Sequence, residues 1–156
     1  MTTKNSVRNN RSAMPGRLVV VDPQLGDYRC LHIPARQHLV RLTLTTTGSN
    51  ALRLAPSFAD AVWLLSPQLP DMKGLDLLEM LQSLQRDLKA VVVDNQYDPE
   101  REQRALELSA IQYVCKPLQL AWFKAWQRSS TDVQISNPHF SATQKIEHLS
   151  EQVPQP

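Results

Sequence analysis

Five short apolar runs recur along the chain and constrain its fold more than any other feature. They are LVVV at 18–21, LVRLTLT at 39–45, AVWLL at 61–65, AVVV at 90–93 and YVC at 113–115. Most are bounded by polar or turn residues, and stretches with helical spacing separate them. Near-continuous apolar strands that alternate with helices are typical of a parallel sheet covered on both faces. The sequence therefore predicts an α/β fold, a doubly wound five-stranded parallel sheet with helices on both faces.

The helices between these runs differ in how clearly the sequence marks them. The clearest follows Gly74, where leucines recur at helical spacing: Leu77, Leu78, Leu81, Leu84 and Leu88. Asp98 as N-cap with Pro99 behind it predicts the start of the next helix, and a last helix is predicted over 118–127. Residues 24–38 contain a glycine and a proline, so we expect a short or kinked helix between the first two strands.

The length of 156 residues suits one domain with its own core and two polar ends. We expect a flexible basic arm over 1–16, the folded domain over 17–128 and a polar tail over 129–156. Within the tail, a capping-box pattern and apolar spacing predict a short helix over 141–153 that docks on the domain or binds a partner. The alternative is an unstructured tail.

Charge and composition exclude several classes of protein. The net charge of +2 is spread evenly, except that the arm carries Lys4, Arg8 and Arg11 without an acid. A short basic arm is usually only solvated, so we do not expect nucleic acid as a partner. No run of 18 apolar residues and no signal-peptide pattern is present in the sequence, which predicts a cytoplasmic protein without a membrane contact.

Cysteine and histidine give no sign of a metal or cofactor site. Cys30 and Cys115 are far apart, and Cys115 lies in an apolar run, so both are predicted to be small buried side chains in a reducing compartment. The four histidines lack ligand spacing with each other or with a cysteine. We therefore predict no cofactor and no metal.

Chemistry in a doubly wound sheet takes place at the carboxyl ends of the strands, where ligands bind in a crevice. The residues at those ends are Asp22 after the first run, Ser66 after the third, Asp94 after the fourth and Lys116 after the fifth.

The order and spacing of these pieces resemble the receiver domain of two-component response regulators. VVVDPQ resembles its first strand, LLSPQLPDMKGLDLL its phosphoacceptor strand and loop, AVVVDN its fourth strand and ALELSAIQYVCKPL its last strand with the Lys-Pro ending. The resemblance covers roughly 17–127. It implies the flavodoxin-like, CheY-like strand order 2-1-3-4-5.

The sequence departs from the family at the residues that carry phosphorylation. Val21 occupies the first of two acidic positions, so only Asp22 remains of that pair. Ser66 stands where the family has the phosphoacceptor aspartate, and Asp94 replaces the hydroxyl residue that contacts the phosphoryl group. A serine supplies neither the carboxylate nucleophile nor a ligand for the magnesium ion that the reaction needs. This degenerate set predicts that the domain is not phosphorylated.

The resemblance also implies that Lys116 points into the crevice and that the Lys116–Pro117 bond is cis. A partly buried ammonium needs a partner, and we expect Asp94 on the neighbouring strand to provide it. In the alternative, Asp94 caps the following loop and faces water.

The favoured functional hypothesis is a pseudo-receiver, a protein-binding module of signal transduction that is not an enzyme. In receivers the face formed by the fourth helix, fifth strand and fifth helix binds a protein partner or a second copy. Here that face would carry the switch-type aromatic Tyr113 with Trp122 and Trp126, although packing onto the sheet explains at least one tryptophan. Two alternatives remain: an atypical receiver that binds magnesium or phosphate through Asp22 and Asp94, or the receiver fragment of a larger transcription regulator.

Overall fold

The computed structural model describes residues 16–131, with side chains up to 128, and contains the predicted parallel sheet. The strands lie in the order β2-β1-β3-β4-β5, which confirms the predicted fold class. Their bounds are Gly16–Val21 (β1), Val40–Thr45 (β2), Val62–Leu65 (β3), Lys89–Asp94 (β4) and Gln112–Cys115 (β5). The predicted arm, apart from Gly16, and the predicted helix over 141–153 lie outside the described residues.

The helices match the predicted order but differ at their ends. They are α1 (His32–Arg36), α2 (Gly48–Leu54), α3 (Gly74–Leu84), α4 (Pro99–Glu107) and α5 (Leu120–Thr131), with 3-10 turns at Leu25–Leu31 and Ala55–Ser57. The expected kink after β1 is present, since a 3-10 helix precedes the five-residue α1. Leu88 lies outside α3, because the chain becomes extended at Gln85 and leads into β4. No helix among the described residues has the length and apolar character to cross a membrane.

Two apolar clusters hold the helices against opposite faces of the sheet. Alternate residues of the strands, such as Val19 and Trp63, pack with α2, α3 and α4, whereas Val20 and Leu64 pack with the first 3-10 helix and α5. Successive strand residues therefore face different clusters, and in the central strands β1, β3 and β4 nearly all of them are buried. This two-sided burial explains why the strands appear in the sequence as continuous apolar runs rather than as an alternation.

The loop from β3 to α3 is folded tightly over the carboxyl end of the sheet. The amide of Gly74 donates to the carbonyl of Pro67 at 2.9 Å, and a Cβ atom at Gly74 would lie 1.8 Å from the carbonyl oxygen of Ser66. Only glycine fits this approach, which explains why α3 begins at that residue.

Asp71 fastens the same loop to the start of α2. Its carboxylate accepts hydrogen bonds from the amides of Gly48 and Ser49, each at 2.9 Å, and from the Ser49 hydroxyl at 2.7 Å. The Ser49 side chain and these two amides lower the pKa of Asp71 to about 2. The loop that carries Ser66 is thus held at both ends.

Gly74→Ala should lower the free energy of unfolding by about 1–3 kcal/mol or more, because the added methyl group overlaps the backbone of Ser66. Gly26→Ala is the matched control, since a Cβ atom there meets nothing within 4 Å and φ is not positive. Urea denaturation measures both variants. Equal stability of the two variants would contradict the close contact between Gly74 and the backbone of Ser66.

Candidate functional site

The four residues that the sequence placed at the carboxyl edge are all located there, and all are largely buried. Asp22, Ser66 and Asp94 are only 1%, 3% and 2% exposed, and the Lys116 side chain is 10% exposed. The Lys116–Pro117 bond is cis, as predicted. Because buried charges are costly unless they are paired, the partners of these side chains determine what the site can do.

Lys116 pairs with two acids on the β1 side of the crevice, so the predicted pair with Asp94 is wrong. Its Nζ atom lies 2.8 Å from Oδ2 of Asp22 and 2.8 Å from Oδ2 of Asp27. Asp27 reaches the ammonium because the first 3-10 helix turns over the end of the sheet. Only the backbones of Lys116 and Asp94 are linked, through an amide-to-carbonyl hydrogen bond of 2.8 Å.

Asp22 is satisfied from three sides. Its Oδ1 accepts from the amide of Gln24, and its Oδ2 accepts from the Tyr28 hydroxyl, each at 2.8 Å, in addition to the contact with Lys116. We call Asp22, Asp27, Tyr28 and Lys116 the lysine cluster.

The pKa shifts within the lysine cluster follow from its burial and charges. Burial and the neighbouring Asp22 carboxylate raise the pKa of Tyr28, so this hydroxyl stays a donor. Burial alone would lower the pKa of Lys116, but hydrogen bonds and attraction to Asp22 and Asp27 outweigh it and raise the pKa. Lys116 is therefore a charged group with its positive charge already matched.

Asp94 belongs to a second set of residues, which we call the arginine cluster: Asp94, Asp98, Arg101 and Tyr113. The Tyr113 hydroxyl donates to Oδ2 of Asp94 at 2.5 Å, and Arg101 Nη1 donates to Oδ1 at 3.4 Å. Arg101 Nε also lies 3.3 Å from Oδ2 of Asp94 and 3.0 Å from Oδ2 of Asp98. Asp94 also accepts from the amide of Gln96 at 3.5 Å, so it contacts the following loop as the alternative expected, but it is buried and does not face water.

The arginine cluster follows from the local structure of α4. Asp98 caps this helix by accepting from the amides of Glu100 and Arg101, and Arg101 stands three residues later on the same side. Burial opposes the charge of Arg101, but Asp98 and Asp94 outweigh it and raise its pKa. Burial and the hydrogen bond to Asp94 raise the pKa of Tyr113.

Ser66 and Val21 contribute no charge to the site. The Ser66 hydroxyl donates to the carbonyl of Gln68 at 3.1 Å and accepts from the amide of the same residue at 3.3 Å, which closes its loop. Val21 is fully buried in the apolar cluster under α2 and α3. The two positions that the resemblance predicts as phosphoacceptor and first acid thus hold a neutral hydroxyl and a core side chain.

The aromatic residues predicted for an interface are held against the domain to different degrees. Tyr113 is 6% exposed, with its hydroxyl directed at Asp94. Trp122 and Trp126 are half-buried and stacked, with ring centroids 6.4 Å apart and an angle of 8° between the planes. The Trp122 indole also donates to the Gln112 side chain at 3.0 Å. Both tryptophans pack on the apolar cluster of the α5 side, and Trp122 keeps part of its ring accessible.

Within 16–128, no group of three or more His, Cys, Asp or Glu side chains is arranged to hold a metal ion. Asp22 and Asp94, the two carboxylates considered as magnesium ligands, each contact a protein cation in a separate cluster. Cys30 and Cys115 are free, partly buried thiols whose pKa values burial raises.

The sequence-based prediction missed Asp27, Tyr28 and Arg101. The signal for Arg101 was present, because a base three residues after an N-cap aspartate can reach it. Asp27 and Tyr28 lie in a segment without a clear helical pattern in the sequence. Residue spacing therefore could not predict that this segment folds back over the crevice.

The chain is similar to known receiver domains over most of the described region. The family model "Response regulator receiver domain" matches residues 28–125, more than half of the chain. The two-component response regulator ORR12 of Oryza sativa subsp. japonica is 29% identical over 106 residues, which are 66% of this chain and 88% of that protein. The transcriptional regulatory protein KdpE of Mycobacterium tuberculosis is 29% identical over 113 residues, which are 72% of this chain and 50% of that protein.

Solved structures show the same fold. A CheY-like receiver domain protein from Methanospirillum hungatei superposes with a TM-score of 0.65 at 20% identity, covering 76% of this chain and 95% of that one. The BeF3-activated DrrB receiver domain gives a TM-score of 0.62 at 24% identity, covering 74% and 99%.

Tyr113→Phe should lower the free energy of unfolding by about 1–3 kcal/mol, because buried Asp94 loses its shortest hydrogen bond. Tyr97→Phe makes the same chemical change at a tyrosine whose hydroxyl donates to Glu102. Because Tyr97 is 59% exposed, water can approach that carboxylate from the side of the lost hydroxyl, so the effect should be smaller. Thermal or urea denaturation compares the two variants. An equal or larger loss for Tyr97→Phe would contradict the role given to the Tyr113 hydroxyl.

Proposed function

The chain belongs to the family of response regulator receiver domains, and we propose that it is a pseudo-receiver, a signalling domain that is not phosphorylated and acts by binding a protein. Receiver domains are signalling modules rather than enzymes in general. The observation that carries the proposal is the pairing of Lys116 with Asp22 and Asp27. This pairing neutralises the ammonium charge that would otherwise attract a phosphoryl group.

Aspartyl phosphate formation needs a carboxylate nucleophile and a magnesium ion held by several oxygen ligands. Ser66 offers a neutral hydroxyl whose hydrogen bonds go to Gln68 within its own loop. No base among the described hydrogen bonds contacts that hydroxyl, so Ser66 is not activated as an alternative nucleophile. Val21 supplies no carboxylate. The carboxylates that remain, Asp22 and Asp94, already contact Lys116 and Arg101, so they are too few to bind magnesium firmly.

The charge of the two clusters also opposes an incoming phosphoryl group. Lys116 is matched with two carboxylates and Arg101 with two others, so each cluster already carries an excess of negative charge. A phosphoryl group would have to displace a carboxylate from Lys116 and would meet Asp94 nearby. Both steps are unfavourable in a site with little exposure to water.

Receiver domains act through partner proteins or effector domains, and we place the partner on the face formed by α4, β5 and α5. Leu106 on α4 and Ile111 just before β5 are 40% and 45% exposed, and Trp122 on α5 is half-buried. Aromatic side chains are enriched at the centres of interfaces, and the exposed aliphatic side chains add apolar area that a partner can cover. Self-association through this face is the alternative to a different partner.

A second candidate role is the receiver part of a longer transcription regulator. The chain spans only half the length of KdpE, whose name describes it as a transcriptional regulatory protein. The mass of the protein purified from its source distinguishes a separate receiver from part of a longer chain.

Incubation with acetyl phosphate and magnesium should leave the mass of the protein unchanged, because neither Ser66 nor the neighbouring charges support phosphoryl transfer. Magnesium titration should give no saturable signal at millimolar concentration for the same reason. Intact-mass spectrometry and tryptophan fluorescence measure the two outcomes. A receiver that keeps its phosphoacceptor aspartate serves as the positive control under identical conditions.

Two variants identify the chemistry of any adduct that does form. An adduct that disappears in Asp22→Asn would show that the acidic site still functions and would refute the pseudo-receiver proposal. An adduct that disappears in Ser66→Ala would refute it as well, since it would place the phosphoryl group on the serine.

A further inference from the structure

An open apolar groove of about 330 Å³ runs between α1 and the edge strand β2, away from the lysine and arginine clusters. It is lined by His32, Ala35, Arg36, Leu42 and Leu44. Leu44 is 36% exposed, although it lies on the same side of β2 as the buried Val40. The groove is therefore a part of the sheet face that the domain leaves uncovered.

The groove exists because α1 is too short to cover the edge of the sheet. A 3-10 helix takes the place of its first turns, and α1 itself ends at Arg36 after only five residues. Since β2 is an edge strand, no further strand or helix within 16–131 shields Leu42 and Leu44 from the outer side. Ile33 and Leu39, 57% and 48% exposed, add apolar surface at the same edge.

The groove carries positive charge and no acid among its lining residues. Arg36 supplies a permanent charge, and His32 lies beside it. An occupant that fits needs an apolar stripe to meet Leu42 and Leu44 and a net negative charge. The basic stretch over 1–15, with Lys4, Arg8 and Arg11 and no acid, has the wrong charge for this groove.

The segment 141–153, SATQKIEHLSEQV, has the required pattern. At helical spacing Ile146, Leu149 and Val153 share one face, which Lys145 and Ser150 flank, and Glu147 and Glu151 lie further round the helix. The two acids against the one base Lys145 still give the segment a net charge opposite to that of the groove. The capping-box pattern at its start favours a helix that begins at the first residue of the segment.

We propose that residues 141–153 of the same chain bind this groove as an amphipathic helix, with Ile146 and Leu149 against Leu42 and Leu44. The inference is independent of whether the domain is phosphorylated, and so it goes beyond the function proposed above.

The connection is long enough for binding within one chain. Helix α5 packs on the same face as α1, and its Trp126 ring lies against Gly16 at the start of β1, the strand next to β2. Nine residues, 132–140, join the end of α5 at Thr131 to the segment and span up to about 30 Å when extended. A tethered segment also binds at a high effective concentration, so a small interface suffices.

Amide hydrogen exchange of the full chain, read by mass spectrometry, tests the proposal. In the wild type we expect the amides of 141–153 and of β2 to exchange at least about tenfold more slowly than in Leu149→Asp, which puts a charge on the apolar face. His148→Asp is the matched control, because it adds the same side chain one position away on the opposite face. It should keep the wild-type protection.

Leu44→Asp tests the groove side of the contact, and this residue is exposed enough for the domain to tolerate the change. It should release 141–153 as Leu149→Asp does. Wild-type exchange in 141–153 as fast as in Leu149→Asp would overturn the proposal. Protection that survives Leu44→Asp would place the segment elsewhere, and protection lost on dilution would mean that a second copy supplies it. Either result would also overturn the proposal.

Discussion

The ammonium group of Lys116 sits where water hardly reaches, and much of the carboxyl edge is arranged to keep it charged. An isolated charge in such a place would be very costly, so at least one carboxylate must accompany it. Here Asp22 and Asp27 both do so at 2.8 Å, and Tyr28 donates to Asp22 from the other side. The pair joins the residue that follows β5 to the residue that follows β1, across the two strands between them. It also draws the first 3-10 helix over the end of the sheet.

Because Lys116 pairs with Asp22 and Asp27 on the β1 side of the crevice, the buried Asp94 needs other partners. Arg101 and Tyr113 provide them, and both come from elements that flank Asp94 on its other side. The result is two charge clusters, each with one cation and two carboxylates, with the neutral Ser66 loop as a third part of the edge. In this arrangement a phosphoryl group finds no unmatched cation, and the carboxylates of each cluster already contact a protein cation. The proposed absence of phosphorylation is thus compatible with the receiver fold, because the contacts within the two clusters need no ligand.

Much of this fold could be predicted from the sequence, because the central strands β1, β3 and β4 are buried on both faces and therefore appear as apolar runs. The cap at Asp98 and the start of α3 at Gly74 were also readable, since each depends on residues within a few positions. The partners of Lys116 could not be predicted from the sequence. Asp94 was the nearer acid in the strand order, and the choice of Asp27 depends on how an irregular 3-10 segment folds back over the sheet. Side-chain pairing across the crevice is a tertiary property, and strand-end spacing leaves it open.

The account depends most directly on the claim that the positive charge of Lys116 is already matched within the protein. An NMR titration of the Lys116 side-chain carbons measures this in the wild type and in Asp27→Asn, which removes the more exposed of the two partners. We expect a pKa above the ordinary lysine value of roughly 10.4 in the wild type and a lower pKa in the variant. A wild-type pKa at or below the ordinary value, unchanged in Asp27→Asn, would mean that the ammonium is unpaired, and it would contradict the account.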